Sequence, residues 1–504
     1  MAGVLRAQHW LREDVLFNDG PEFLRITKAM AAHDWGAALG DDYHPLYSLV
    51  TLGMQLVAPL PNDGYASAAA LVSIVAGVAS VLLLYLFART AYGRAAAWPA
   101  ALALAVHPYA VRFSGDVQSD GLYLALFLGA VLALWVALRD RAAALAGWAG
   151  ALSGLAYLTR PEGAGVALIG GALGGLRLLG SGGSRARWVG WLAALGAACL
   201  VVMAPYLISI RVETGQWHLT KKKTLELVSL LDEEGGAAAP PGGPVSTPAR
   251  SGSAPGQAAS APAPSAEVAS PARSAVLLRF LSTLVSTLRP EFLVLLLFGI
   301  YTCWSRPGWR ALFVCAFLGL YLAVLLGLAF HGYVSRRHVL PPLVLTFGYV
   351  AVGLPVLGEI LVSIGGSVLR AQATPRPRLA LGIALLCLLV PSLAKELRPH
   401  DHAGLAERRA AEWLRAEQLA PGPVAASKDR VAYYADAPFV PLRHAPDAGL
   451  VADLKDRGAR YLIVEEDGGE GSRAARRAQE GGLPLLHRLE AGGREAWVYA
   501  LPAP

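Results

Sequence analysis

Apolar runs long enough to cross a bilayer core, roughly 17 to 25 residues, recur along this chain. They stand at 65–88, 95–113, 119–138, 142–158, 162–178 and 188–210, and in a second group at 290–304, 311–330, 339–362 and 379–394. The pattern predicts a polytopic α-helical membrane protein with about ten spans. Arginines mark alternate connections: Arg89 with Arg94, Arg139 with Arg141, Arg177 with Arg185 and Arg187, Arg306 with Arg310, and Arg370 with Arg376 and Arg378. The positive-inside bias makes that side cytoplasmic. The opposite side then carries residues 1–64, the 114–118 loop, Arg160, the loop after Arg211, the Arg336-Arg337 loop and the C-terminal region. This parity requires 44–60, with Pro45 and two closing prolines, to lie at the interface and not to span.

Polar positions divide the rest. In Phe17-Asn18-Asp19-Gly20-Pro21-Glu22 an acidic turn precedes Phe23, Leu24, Ile26, Ala29 and Met30 at helical spacing, so its acids sit at the N-terminus of an amphipathic helix. Residues 235–274 are rich in Gly, Ala, Pro and Ser and carry too few large apolar side chains to offset ordering entropy, which predicts a disordered external loop. Residues 275–288 then read as a second interfacial helix. From Pro399 onward, a charged helix at 405–419 and short apolar runs at 424–426, 461–464, 484–489 and 496–501, with a helix at 448–457, predict a soluble α/β domain. It carries no phosphate loop or dinucleotide fingerprint. The organisation is therefore 1–64 acidic turn and interfacial helices, 65–211 first membrane bundle, 212–274 external loop, 275–398 interfacial helix and second bundle, and 399–504 extracytoplasmic α/β domain.

Composition agrees. Of 504 residues 55% are hydrophobic and 16% charged, against roughly 25% charged in ordinary soluble proteins. The net charge of +7 resides largely in the short arginine clusters, which makes it a topology signal and argues against nucleic acid as a partner. The four cysteines, Cys199, Cys303, Cys315 and Cys387, all lie in apolar runs without zinc-ligand or disulfide spacing. No signal peptide opens the chain, and an N-terminus placed outside predicts a further span ahead of it.

Acids and arginines on the outward face are the candidate chemistry. Asp19 and Glu22 form one acidic turn; Asp116 and Asp120, in Ser114-Gly115-Asp116-Val117-Gln118-Ser119-Asp120, form another. Each reads equally as a helix cap or solvated turn; together they suit general-base duty or a divalent cation bound by hard oxygen ligands. Arg160, in Leu158-Thr159-Arg160-Pro161-Glu162-Gly163, stands where arginine is disfavoured. At membrane depth it costs about 2.5 to 3.5 kcal/mol, so it needs a partner such as Glu162 or a lipid phosphate. Arg336 and Arg337, followed by His338, repeat the exception. A guanidinium matches phosphate bidentately, although interfacial snorkelling accounts for a single arginine as well. His44, before Pro45, is placed for contact with phosphate or acceptor, or is an ordinary surface histidine. His107 and His331 read as structural, and Lys221 to Lys223 as contacts to lipid head groups.

Together these segments resemble the GT-C superfamily of polyprenyl-phosphate-sugar-dependent glycosyltransferases, which includes protein O-mannosyltransferases and the lipid A aminoarabinose transferase. The resemblance covers the acidic turn, the Ala-Leu-rich spans, the Leu-Thr-Arg-Pro-Glu-Gly step, Val334-Ser335-Arg336-Arg337-His338-Val339-Leu340-Pro341 and the external domain. It implies that Asp19 is the aspartate essential for transfer, with Asp116 or Asp120 matching the second acidic turn. It further implies that His44, where relatives carry lysine or arginine, and Arg337, followed by His338 in place of the usual tyrosine, contact the donor phosphate. The span that precedes the acidic turn in the family is missing from this sequence, which a misassigned start codon would explain. The implied reaction moves one sugar from a polyprenyl phosphate to an acceptor hydroxyl of a lipid, glycan or protein on the outer face of the cell membrane, with inversion. A flippase or exporter of lipid-linked sugar, a polysaccharide polymerase or ligase using a diphosphate donor, and a scaffold whose outer domain binds partners are the alternatives.

Overall fold

The structure is a computed structural model of the chain. It describes every residue apart from 41, 60–63, 181–184, 222–272, 305–308, 332–333, 369–376, 399–401, 418–421, 443–448, 466–469 and 503–504. The expected external tract at 235–274 therefore lies, except for its last two residues, outside the described residues.

Helices α1 (Ala2–Arg12), α2 (Gly20–Ala31), α3 (Trp35–Leu39) and α4 (Leu46–Val57) precede the first bundle. That bundle is α5 (Gly64–Ala91), α6 (Arg94–Val106), α7 (Pro108–Ser114), α8 (Asp120–Asp140), α9 (Ala143–Tyr157), α10 (Ala164–Gly180) and α11 (Arg185–Thr214). The second half comprises α12 (Arg273–Leu288), α13 (Pro290–Trp304), α14 (Trp309–His331), α15 (Arg336–Val344), α16 (Phe347–Val368) and α17 (Pro377–Glu396). Among the described residues seven helices are long and apolar enough to cross a membrane, and α12 with α13, bent by 92° at their junction, would add an eighth. The remaining apolar runs form the shorter α6 and α9.

Two expected spans are broken. The run at 95–113 divides at His107, whose extended backbone (φ −64°, ψ 118°) is what a following proline imposes on its neighbour. The run at 339–362 divides at 345–346, where the Leu345 and Thr346 N–H groups turn to the carbonyls of Pro342 and Leu343 three residues back, so that α15, with Pro341 and Pro342 inside it, ends before α16 begins. At the 92° bend Arg289 takes a left-handed φ of +69° and Pro290 starts the next helix, so α12 meets α13 nearly at a right angle.

Close helix contacts are made through glycine. On α13 a Cβ at Gly299 would lie 1.9 Å from the Tyr349 carbonyl oxygen of α16, and on α16 a Cβ at Gly353 would lie 2.0 Å from the Leu295 carbonyl oxygen of α13. Reciprocal small residues let two backbones approach where lipid supplies no hydrophobic driving force.

The C-terminal domain consists of α18 (Leu405–Ala416), β1 (Val424–Ala426), α19 (Asp429–Tyr434), β2 (Phe439–Pro441), α20 (Leu450–Asp456), β3 (Tyr461–Glu465), α21 (Glu470–Glu480), β4 (Leu485–Ala491) and β5 (Arg494–Ala500). Its sheet runs β2-β1-β3-β5-β4, with β1 parallel to β2 and β3 and with β5 antiparallel to β3 and β4. Strand β3 is buried along its whole length; Tyr461 and Ile463 join one core and Leu462 and Val464 the other, which is why it reads as an unbroken apolar run. Strand β2 and helices α19 and α21 were not expected from the sequence. The first two are short, and α21 packs into the core through Ala474, Ala475 and Ala478 alone, with no larger apolar side chain to mark it.

Candidate active site

The acidic turn, the start of α8, the Arg160 connection, α12 and the start of α15 surround one cavity of about 690 Å³. Its floor is an ionic network. Asp19 stands at the N-cap of α2 without a side-chain capping bond, so the capping explanation for this residue does not apply. Instead its Oδ2 accepts from Arg337 Nη1 at 2.6 Å and its Oδ1 from the Tyr43 hydroxyl at 3.2 Å. The same guanidinium reaches Asp120 Oδ2 through Nε at 2.9 Å and Nη2 at 2.7 Å. Asp120 Oδ1 accepts from Arg160 Nη1 at 2.5 Å, and Arg160 Nη2 is 3.5 Å from Glu162 Oε1. His338 Nε2 is 3.2 Å from that oxygen. Because the Ser335 backbone N–H donates to His338 Nδ1 at 3.1 Å, the proton of a neutral ring sits on Nε2, where it donates to Glu162.

Local structure explains how these side chains are held. Asp120 is the first residue of α8, where the helix dipole favours a carboxylate. Arg160 precedes Pro161 and adopts an extended backbone, and its guanidinium lies 5.6 Å from the centre of the Tyr123 ring. Arg337 opens α15 beside the Phe17 ring, 5.0 Å away. Side-chain exposure within the network is 7% for Asp120, 11% for Arg160 and Glu162, 17% for Arg337 and 22% for Asp19, so Asp19 is its most accessible acid. Burial alone would lower the Arg337 guanidinium, but Asp120 and Asp19 outweigh it and hold the group above its ordinary range. Burial raises the Tyr43 hydroxyl, and Asp19 raises it further, so Tyr43 remains a donor.

The other residues singled out in the sequence separate. Asp116 is 3% exposed and turns onto its own loop, accepting from the Val117 N–H at 2.6 Å; burial pushes its carboxyl up to about 6. Glu22 pairs with Arg25 at 2.9 Å on the α2 surface. His44 lines the cavity, buried edge-on against Tyr157 at 5.0 Å and beside Tyr206 at 4.9 Å. Arg336 occupies the opposite wall, donating to Ser286 Oγ at 3.3 Å and lying 4.9 Å from the Tyr109 ring centre.

Two features escaped sequence reasoning. Tyr43 bonds Asp19 from 24 residues away, and no local pattern announces it. Helix α12 turns Arg279, Ser282, Thr283 and Ser286 toward the cavity, while Leu277, Leu278, Leu281 and Val285 are exposed on its other side; the three- and four-residue spacing was the available signal. For a divalent cation the donor set is poor: among the described residues no group of three or more His, Cys, Asp or Glu side chains gathers as ligands, and Arg337 occupies the space between Asp19 and Asp120.

Residues 47–208 match the family model described as dolichyl-phosphate-mannose-protein mannosyltransferase. No curated protein matches the chain by sequence. Among solved structures the chain is similar to ArnT from Cupriavidus metallidurans bound to undecaprenyl phosphate, at 14% identity and a TM-score of 0.56 over 99% of this chain and 96% of that one. It is also similar to the archaeal oligosaccharyltransferase AglB from Archaeoglobus fulgidus in complex with an inhibitory peptide and a dolichol-phosphate, at 13% identity and a TM-score of 0.54 over 99% of this chain and 73% of that one. At such identities the likeness is one of architecture: over nearly its whole length this chain has the fold of these two membrane proteins.

Proposed function

We propose that the protein transfers a single sugar from a polyprenyl-phosphate donor to the hydroxyl of a lipid, glycan or protein acceptor, with inversion, at the extracytoplasmic face of the cell membrane. The observation that carries this reading is the convergence of Asp19, Arg160 and Arg337 on one cavity from three separate segments, with Asp120 bonded to both arginines behind them. In the step proposed, the acceptor oxygen bonds to the anomeric carbon as that carbon's bond to phosphate oxygen breaks, and Asp19 takes the acceptor proton. The departing phosphate gains a negative charge and needs no proton. Arg336 and Arg337, with Arg160 and His44 on the same cavity, are the groups assigned to hold it. Asp120 and Glu162 keep both network arginines oriented. The two solved structures of like fold, one bound to undecaprenyl phosphate and the other to a dolichol-phosphate, support a lipid-linked donor.

The test is Asp19→Asn in the full-length chain, assayed with the lipid-linked sugar that accumulates in cells lacking the protein. Transfer is expected to fall by about 10² to 10⁴, the usual worth of a general base, with the protein still folded. Transfer at the parent rate would sink the assignment of Asp19 as the base, and a parent protein without transfer would sink the transferase reading.

A further inference from the structure

The α/β domain reaches the acidic turn through one short helix. On α19 the Tyr434 hydroxyl accepts from the Leu16 backbone N–H at 2.8 Å, while Arg430 Nη1 donates to the Leu16 carbonyl oxygen at 3.3 Å. Both main-chain polar groups of one residue are thus taken by two side chains more than 400 positions away. The turn that follows is tight, with Gly20 N–H donating to the Phe17 carbonyl at 2.8 Å, so a displacement at Leu16 is passed directly to Asp19. Arg430 is itself confined. It is 8% exposed, and a Cβ on Gly404, whose φ is +86°, would lie 2.3 Å from Arg430 Nη2. Upstream, His402 Nδ1 lies 2.6 Å from Asp14 Oδ2, and Arg408 donates to the Asp14 carbonyl. Tyr433 and Tyr434 pack against the cluster formed by Leu16, Phe23 and Tyr47.

We propose that Tyr434 and Arg430 are positioning residues for Asp19, and that the C-terminal domain is a working part of the active site that fixes the acidic turn by its backbone. The catalytic meaning of the clamp rests on the transferase reading; its existence does not. With the clamp in place, the Asp19 carboxylate stays within bonding distance of both Arg337 and Tyr43. Without it the turn samples other positions, the productive geometry is less populated, and turnover drops while the donor still binds the arginines and cavity walls.

The test uses the full-length protein with Tyr434→Phe, which removes one oxygen, and Arg430→Gln as a second variant. Amide hydrogen exchange at Leu16, read without any substrate, is expected to quicken at least about fivefold in Tyr434→Phe, the order of one lost hydrogen bond, with the thermal midpoint unchanged. With the lipid-linked sugar as donor, kcat is expected to fall about tenfold and KM to stay within twofold. Unchanged exchange at Leu16 in both variants overturns the clamp, and faster exchange with unchanged kcat overturns its positioning role. A parent protein that moves no sugar from the lipid-linked donor would remove the transferase reading and leave the clamp to be decided by exchange alone.

Discussion

At the scale of single residues, Arg337 is the pivot. Its guanidinium separates two carboxylates that would otherwise face one another at low exposure, and removing one partner of a buried pair costs about 3 to 5 kcal/mol, because the charge left behind is uncompensated. Arg337→Ala is therefore expected to lower stability by that order and to abolish transfer. Arg337→Lys, which keeps the charge but not the planar fork, should recover most of the stability and little of the activity. Thermal melting beside a transfer assay separates the two effects, and an Arg337→Ala protein as stable as its parent would show that the network carries no such load. The identity of these side chains was legible in the sequence because they interrupt the alternation of arginine-rich and arginine-poor connections along the chain. Their partners were not. Pairing between residues 19, 120 and 337 is set by tertiary contacts, and so is the division that brings Asp120 into the network while Asp116, four positions earlier, turns away from it.

At the scale of elements, hydropathy located every apolar helix and failed at the breaks. The interruptions at His107 and at Arg289 are each tied to a following proline and the one at 345–346 to a tightened turn, and a window long enough to find a span averages them away. Helix contacts were equally hidden, since a glycine in an apolar run gives no sign of what it faces. The pair formed by Gly299 and Gly353 is the sharpest instance. Each would place a Cβ within 2.0 Å of a carbonyl oxygen on the opposing helix, so Gly353→Ala must push α13 and α16 apart, at about 1 to 3 kcal/mol or more. A lower thermal midpoint for Gly353→Ala than for alanine at Gly382, which has open space around it, is the expected result. Equal midpoints would mean that the two helices have room to move.

At the scale of the whole molecule, acidity links the helical part to the C-terminal domain. Burial pushes Asp116, under the acidic turn, and Asp429, at the start of α19, each from 3.8 up to about 6. The folded chain then holds protons that the unfolded chain has released. These two groups favour the folded state fully below about pH 4, and that contribution is lost as pH rises through about 6. Thermal midpoints measured from pH 4 to 7 are expected to fall less steeply in Asp116→Asn and Asp429→Asn than in the parent, and parallel curves would show that neither carboxyl is perturbed. That an α/β domain follows the spans was legible in the alternating apolar runs of the sequence, but not where it docks. Contacts between positions 16 and 434 leave no periodicity, and α19 is too short to stand out.

The hold on Leu16 is made on a peptide group, which every residue except proline supplies. Neither the side chain at 16 nor those beside it need be preserved for the grip to persist, whereas a proline at 16 would abolish it. Chains that have diverged almost completely in their letters can on this principle keep an acid in the same place, because what is inherited there is the path of the main chain.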